Sequence, residues 1–556
     1  MKKLVIGFLI CILILSTVAC AARKSESEVE YEVSEGQYET VDETDYSVDG
    51  PAPAEEEPYF AGSDVQTAKG EETSAFYEDA NNEEYGSFQE STFLNPEDHP
   101  YSTFSIDVDT ASYSNTRRIL LDGYLPNVDA VRVEEFINYF DYDYDLPKGN
   151  DPIALGATFA VCPWNPDHTL ARITVQAEDD LESTHLDSNF VFLLDVSGSM
   201  NSEDKLPLVK QAMLMLSSNL KRSDRVSIVV YAGSSGVALR GCPGNDTSTI
   251  NETLGRLSAG GSTAGGEGIQ LAYALAEDYF IEGGNNRVIL CTDGDFNVGV
   301  SSEKGLERLI EEKRDSGIYL SVLGFGTGNI KDNKMETLAD KGNGNYAYID
   351  TILEAQKVLV YDMSQTLYTV AKDVKIQVEF NPDAVSSYRL VGYDNRRLND
   401  EDFNDDTKDA GEMGSGHTVT VFYELELVGG ASSAGDIDDL VFQDNDASGS
   451  THINDLPKDW LYVKARYKFP DEDTSQRITL MAGKSDYTSN PDQDFEFASA
   501  VAEFALLLKY SDYAFDASYD AVLERAISAQ GDDEYGYRAE FIRLVELAQR
   551  YVDYDY

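Results

Sequence analysis

Phe190-Val-Phe-Leu-Leu-Asp-Val-Ser-Gly-Ser199 is the stretch on which the fold turns. Five apolar residues without a polar alternate predict a strand buried on both faces, as in a parallel sheet covered by helices. Outward from it the period switches between strand and helix. Leu206, Val209, Met213, Leu216 and Leu220 recur at helical spacing, and Asp224 to Tyr231 predicts the next strand. A helix over Gly266 to Ile281, a strand over Arg287 to Cys291, a helix around Leu306 to Arg314 and a strand over Tyr319 to Leu323 continue the pattern. Such alternation predicts an α/β domain over about 187–368, a doubly wound parallel sheet whose ligand site lies at the carboxyl ends of the strands.

Those ends carry the chemistry. Asp195, Ser197 and Ser199 leave the first strand, and Thr292-Asp293-Gly294 leaves a later one. Between them the turn Gly260-Gly-Ser-Thr-Ala-Gly265 places Thr263 before a helix. Two carboxylates and three hydroxyls at one sheet edge suit a hard divalent cation, Mg²⁺ first, with Ca²⁺ or Mn²⁺ as alternatives. The plainer reading is that Asp195 and Ser199 cap the following helix and Asp293 turns the chain, but caps alone would not recruit Thr263. The set resembles the metal-ion-dependent adhesion site of von Willebrand factor type A (VWA) domains, D-x-S-x-S…T…D. That resemblance implies that Ser197, Ser199 and Thr263 hold the cation by their hydroxyls, with Asp195 and Asp293 binding directly or through water. Hydroxyl-rich coordination leaves a cation under-neutralised, so a carboxylate from a protein partner completes the shell. The competing chemistry is metal-assisted hydrolysis, but no general base stands near the motif, and the expectation is a binding module rather than an enzyme.

Further segments, among them Phe104-Ser-Ile-Asp-Val-Asp-Thr-Ala-Ser112, Cys162-Pro-Trp-Asn165, Gly342-Asn-Gly-Asn-Tyr346 and Gln377-Val-Glu-Phe-Asn-Pro382, extend the likeness. Together they resemble the YfbK-type bacterial lipoproteins with a VWA domain, from about Ser91 to Tyr551. The regions 91–186 and 369–556 read as α+β. Strands are expected at Phe159–Val161, Arg172–Gln176, Val374–Phe380, Val419–Leu427, Trp460–Phe469 and Ile478–Ala482. Strands on both sides of an intact α/β unit imply a sandwich with that unit inserted, followed by helices over Phe495–Tyr510 and Arg538–Tyr551. Gly429 to Leu456 reads as a loop insertion.

The 556 residues include 101 acidic against 43 basic, a net charge of −58. A chain of this sign lacks the cationic footprint that nucleic acid or anionic lipid demands. Lys2 and Lys3 precede an apolar stretch from Leu4 to Val18, and Thr17-Val-Ala-Cys20 resembles a lipobox, which implies lipidation of Cys20 and a bacterial membrane anchor. An ordinary signal peptide or an uncleaved anchor fits the same residues, and all three place the folded part outside the cytoplasm. Between Ala21 and Glu90 stand 21 acidic and three basic residues, so 23–90 is expected to be a self-repelling tether. A tether so rich in carboxylates is also a candidate occupant of its own metal site. Cys162, Cys242 and Cys291 allow one bridge and a spare thiol, or three buried thiols. Gly483-Lys-Ser485 reads as a turn rather than a phosphate loop, and Asp402–Asp406 as an acidic surface loop rather than a calcium loop. The reading that results is an envelope-anchored, metal-dependent protein-binding module. The alternative is a structural envelope lipoprotein with a purely stabilising cation.

Overall fold

The computed structural model describes residues 83–554, apart from 107–108, 180–185, 262–264, 295, 297–302, 363–367, 407, 409, 431–452, 454–455, 471 and 473. Cys20, Thr263, Asp107, most of the tether and most of the Gly429–Leu456 insertion lie outside the described residues. The first flank comprises β1 (Tyr101–Ser105), α1 (Ala111–Leu121), α2 (Val133–Ile137), β2 (Ile153–Cys162) and β3 (Asn165–Ala177). The central domain opens with β4 (Ser188–Asp195), α3 (Leu206–Ser217), β5 (Arg225–Tyr231), β6 (Ser235–Pro243), α4 (Thr247–Arg256) and α5 (Gly265–Asp278). It closes with β7 (Asn285–Thr292), α6 (Glu303–Asp315), β8 (Ile318–Phe325), α7 (Asp332–Lys341), β9 (Tyr346–Ile349) and α8 (Ile352–Gln356). The second flank holds β10 (Thr369–Phe380), β11 (Val385–Val391), β12 (Gly411–Gly414), β13 (Thr418–Leu427), β14 (Asp459–Lys468) and β15 (Gln476–Gly483). It ends with α9 (Gln493–Leu508), α10 (Tyr519–Ser528) and α11 (Tyr537–Tyr554).

The central sheet has the order β6-β5-β4-β7-β8-β9 and is parallel except for its edge strand β6. The expected doubly wound parallel sheet is present, with one antiparallel strand added at its edge. Only Ala232 to Ser234 separate β5 from β6, too short for a crossover, so the strand folds back antiparallel. The apolar run of β4 divides between two cores. Phe190, Phe192 and Leu194 pack with Leu206, Val209, Met213 and Leu216 of α3, while Val191 and Leu193 pack with Ile269 and Ala272 of α5 and Leu306 of α6. Burial on both faces is why no polar residue interrupts the run.

Two antiparallel sheets form the sandwich, β1-β10-β14-β15 with β12 beside β10, and β11-β13-β3-β2. Each mixes strands from before and after the central domain: β1 pairs β10, and β3 pairs β13. The insertion read from the sequence is therefore present. Phe104, Ile173, Val378, Val421 and Trp460 fill the space between the sheets. A helical layer covers the outer face of the second sheet, where Phe136, Phe497, Phe504 and Phe541 join Leu170 and Phe422. Helix α9 is buried along most of its length, as its nearly continuous apolar sequence requires. Among the described residues no helix is long and apolar enough to cross a membrane.

The tether boundary shifts. Glu83 to Glu90, expected to belong to it, lie on the body because their carboxylates find cations there. Glu83 pairs with Arg118 at 3.0 Å, Glu84 with Lys331 at 2.5 Å and Glu90 with Arg389 at 3.5 Å. Cys162, Cys242 and Cys291 are buried free thiols, so the bridge is set aside. Gly483-Lys-Ser485 is the turn after β15. Asp109 is buried, accepting from the Tyr346 amide at 2.8 Å and pairing with Arg396 at 3.2 Å.

Buried ion pairs fasten the central domain to its flanks. Arg117 of α1 pairs with Asp350 and Glu354 beside α8, and with Glu540 of α11. Arg132, just before α2, pairs with Glu135 and with Asp332 and Glu336 of α7. Arg396 pairs with Glu336 and Asp340 as well as Asp109. These charges sit at one junction, so the central domain is held at a defined place on the sandwich.

Candidate metal centre

The chain crosses from one side of β4 to the other between β5 and β7, which leaves a crevice at the carboxyl ends of β4 and β7. Asp195 ends β4, and in register Leu194 lies opposite Cys291, which brings Thr292 and Asp293 alongside. Both carboxylates are buried. Asp195 Oδ1 accepts from the Ser197 amide at 2.8 Å, a tight turn that throws Ser197 and Ser199 over the sheet edge. Their hydroxyls lie 2.9 Å apart, with Ser199 facing solvent. The Gly198 amide donates to the Gly261 carbonyl at 3.1 Å and the Gly260 amide to the Val196 carbonyl at 2.7 Å. Those two bonds lock the serine loop to the glycine-rich turn that leads to Thr263. Of the five site residues named from the sequence, four thus converge, and Thr263 lies outside the described residues.

Neither serine nor aspartate here is spent on capping a helix: the single turn from Gly198 to Asn201 has no side-chain cap bond. More telling, Asp195 Oδ2 and Asp293 Oδ1 are buried without a hydrogen bond. A buried carboxylate oxygen left in that state is costly unless another cationic or donor group completes it. Two such oxygens beside two hydroxyls fit the oxygen-only set of a hard divalent ion. Among the described residues no group of three or more His, Cys, Asp or Glu is placed to hold a metal. Burial pushes the Asp195 carboxyl up to about 6, its contacts with Ser197 and with the Tyr231 hydroxyl oppose this, and the charge of Asp293 adds to it.

Two residues of the site went unread in the sequence. Tyr231 stands opposite Asp195 in the β4–β5 ladder, and burial, reinforced by the Asp195 charge, holds its phenol well above the usual range. Lys205, at the entry to α3, reaches Asp293 Oδ2 with its ammonium at 2.9 Å, both side chains being almost wholly enclosed. The signal for Tyr231 was available, since it ends a strand adjacent to β4. Lys205 lies in the polar run Ser202-Glu-Asp-Lys205 and reads there as an ordinary solvated lysine.

Comparison with known proteins agrees with this architecture. A family model described as "von Willebrand factor type A domain" matches residues 189–360, one described as "von Willebrand factor" matches 79–172, and one described as "Uncharacterized protein YfbK, C-terminal" matches 365–551. The chain is 43% identical over 477 residues to the protein "Uncharacterized protein YfbK" of Escherichia coli (strain K12), covering 84% of this chain and 81% of that one. It is 24% identical over 261 residues to inter-alpha-trypsin inhibitor heavy chain H3 of Pongo abelii, covering 43% of this chain and 29% of that one. A solved structure of von Willebrand factor type A from Catenulispora acidiphila aligns with a TM-score of 0.35 at 13% identity, covering 81% of this chain and 89% of that one. With an α/β domain of the von Willebrand factor type A kind set between two flanks, and 43% identity sustained along most of its length, the chain belongs to the YfbK family.

Proposed function

We propose that this protein is a metal-dependent protein-binding module, held outside the cytoplasm on a bacterial membrane by a lipid on Cys20, and that it is not an enzyme. The observation that carries the reading is the pair of buried, unpartnered carboxylate oxygens of Asp195 and Asp293 beside the Ser197 and Ser199 hydroxyls. Ser197, Ser199 and Thr263 would hold Mg²⁺, or Ca²⁺ or Mn²⁺, with the two aspartates. A cation so held supplies an electrophilic point for one further anionic oxygen. The remaining groups around the carboxylates, Lys205, Tyr231 and Thr292, are donors, which suits holding an anion better than abstracting a proton. VWA domains commonly serve protein contacts of this kind, and the exposed Ser199 is where a partner's carboxylate would enter.

The test is metal and partner binding together. Asp195→Ala is expected to abolish Mn²⁺ and Mg²⁺ binding measured by calorimetry, with no loss of the folded state. Proteins captured from envelope extracts by the wild type should disappear with chelator and with Asp195→Ala. Capture that survives both would overturn the metal-dependent reading.

A further inference from the structure

Resting on the metal-site reading above, we propose that Lys205 is a tethered cation of the centre: its ammonium opposes the divalent ion for Asp293 and leaves the loaded site with a surplus positive charge. The side chain is built into place. Its ammonium contacts Asp293 Oδ2 at 2.9 Å, and the lysine and aspartate side chains are 10% and 0% exposed. Its methylene stem runs across Gly326, just past the end of β8, where any added Cβ would overlap it. Gly326 sits at φ +75°, and its carbonyl accepts from the Tyr348 hydroxyl at 2.8 Å, so the glycine that makes room for the stem is itself fixed. A solvated lysine needs no such channel. Here sheet edge, glycine and aspartate together aim one ammonium at one carboxylate.

The charge count gives this placement its consequence. Asp195 and Asp293 contribute −2, so a divalent ion alone leaves no formal surplus of charge, and its pull on a further anion rests on the hydroxyls that stand in its shell in place of carboxylates. With Lys205 present the protein part of the site is −1, and the loaded site is +1. A local surplus matters in a chain of net charge −58, whose general field repels carboxylates. The same ammonium lowers metal affinity, because like charges in a weakly solvated crevice repel and one oxygen of Asp293 is already engaged. Lys205 therefore trades metal affinity for anion affinity, and it favours occupancy when metal and carboxylate arrive together.

Mn²⁺ binding to the full chain, measured by isothermal titration calorimetry with melting curves in chelator, tests this. Lys205→Met is expected to bind Mn²⁺ at least tenfold more tightly than wild type, about 1.4 kcal/mol. It should also melt lower than wild type when metal-free, and recover with saturating Mn²⁺. Lys205→Gln keeps a donor toward Asp293 without the charge, and serves if the methionine variant does not fold; tighter Mn²⁺ binding is expected of it too. An affinity equal to or weaker than wild type in the folded variant overturns the role of Lys205 while leaving the site intact. Absence of Mn²⁺ binding in both folded wild type and variant overturns the metal-site reading itself, and this proposal with it.

Discussion

At the scale of single residues the candidate centre depends on groups that have room for nothing else. Gly294, directly after Asp293, has φ +111°, and a Cβ there would run into the carbonyl of Asn329. Gly294→Ala is therefore expected to cost about 1–3 kcal/mol, the usual scale of backbone strain, and to weaken Mn²⁺ binding by displacing Asp293. Thermal melting and calorimetry check both effects, and a variant with wild-type melting would show that the loop tolerates the change. Asp195, Ser197, Ser199 and Asp293 were legible in the sequence because their spacing follows a buried strand and names oxygen chemistry. Lys205 was not legible, since nothing local distinguishes it from Lys210 or Lys221. Its role depends on Gly326 and Asp293, which only the packing of α3 against β7 and β8 brings near.

At the scale of elements, amphipathic and buried periods located α3, α5, α6, α9 and α11 and the strands β4, β5, β7, β8, β10, β13, β14 and β15, with only the ends of β2 and β3. They failed where periodicity is weak or a partner is distant. Helix α7 was missed because its sequence, Asp-Asn-Lys-Met-Glu-Thr-Leu-Ala-Asp-Lys, buries charge as well as apolar surface: Asp332 and Glu336 face Arg132. Helix α1 was missed for a related reason, since Ser112, Ser114, Asn115, Arg117 and Arg118 are all buried along it. These polar helices dock the domain through ion pairs, which sequence periodicity does not register. Removing one partner of a buried pair leaves the other uncompensated. Arg117→Met, which strands Asp350 and Glu354, is expected to cost about 3–5 kcal/mol. By contrast Arg256→Ala, which removes an exposed pair with Glu252, should stay within about 1 kcal/mol. Chemical denaturation of the two variants side by side measures the difference, and equal losses would deny the junction its structural weight.

At the scale of the whole molecule the acidity has a sign that can be measured. Burial pushes the carboxyls of Asp195 and Asp362 up to about 6 and that of Glu135 up to about 8, so the fold prefers them protonated. The cost of ionising them is full above those values and vanishes below the ordinary carboxylate range. At Glu424, burial is outweighed by the His168 and Arg389 contacts, which hold the carboxyl low; that stabilisation is lost only in stronger acid. Metal-free protein is thus expected to melt at higher temperature as pH falls from about 8 toward 5, and to lose stability below about 4. Calorimetric melts in chelator across that range check it, and a melting temperature that falls steadily from pH 8 to 5 would contradict it. The insertion of one domain into another was legible from strand order. The β1–β10 and β3–β13 pairings of the sandwich were not, because each joins residues separated by an entire domain. Tyr101 meets Glu379, and Gln176 meets Thr418. That topology also orders events during synthesis. Strands β1 to β3 emerge first yet lack the neighbours that complete their sheets, whereas the central domain can close on contacts within its own stretch. Its closure brings the two interrupted flanks within reach of each other, so the last-made strands finish what the first-made began, and the domain that carries the candidate centre serves as the template on which its own pedestal is assembled.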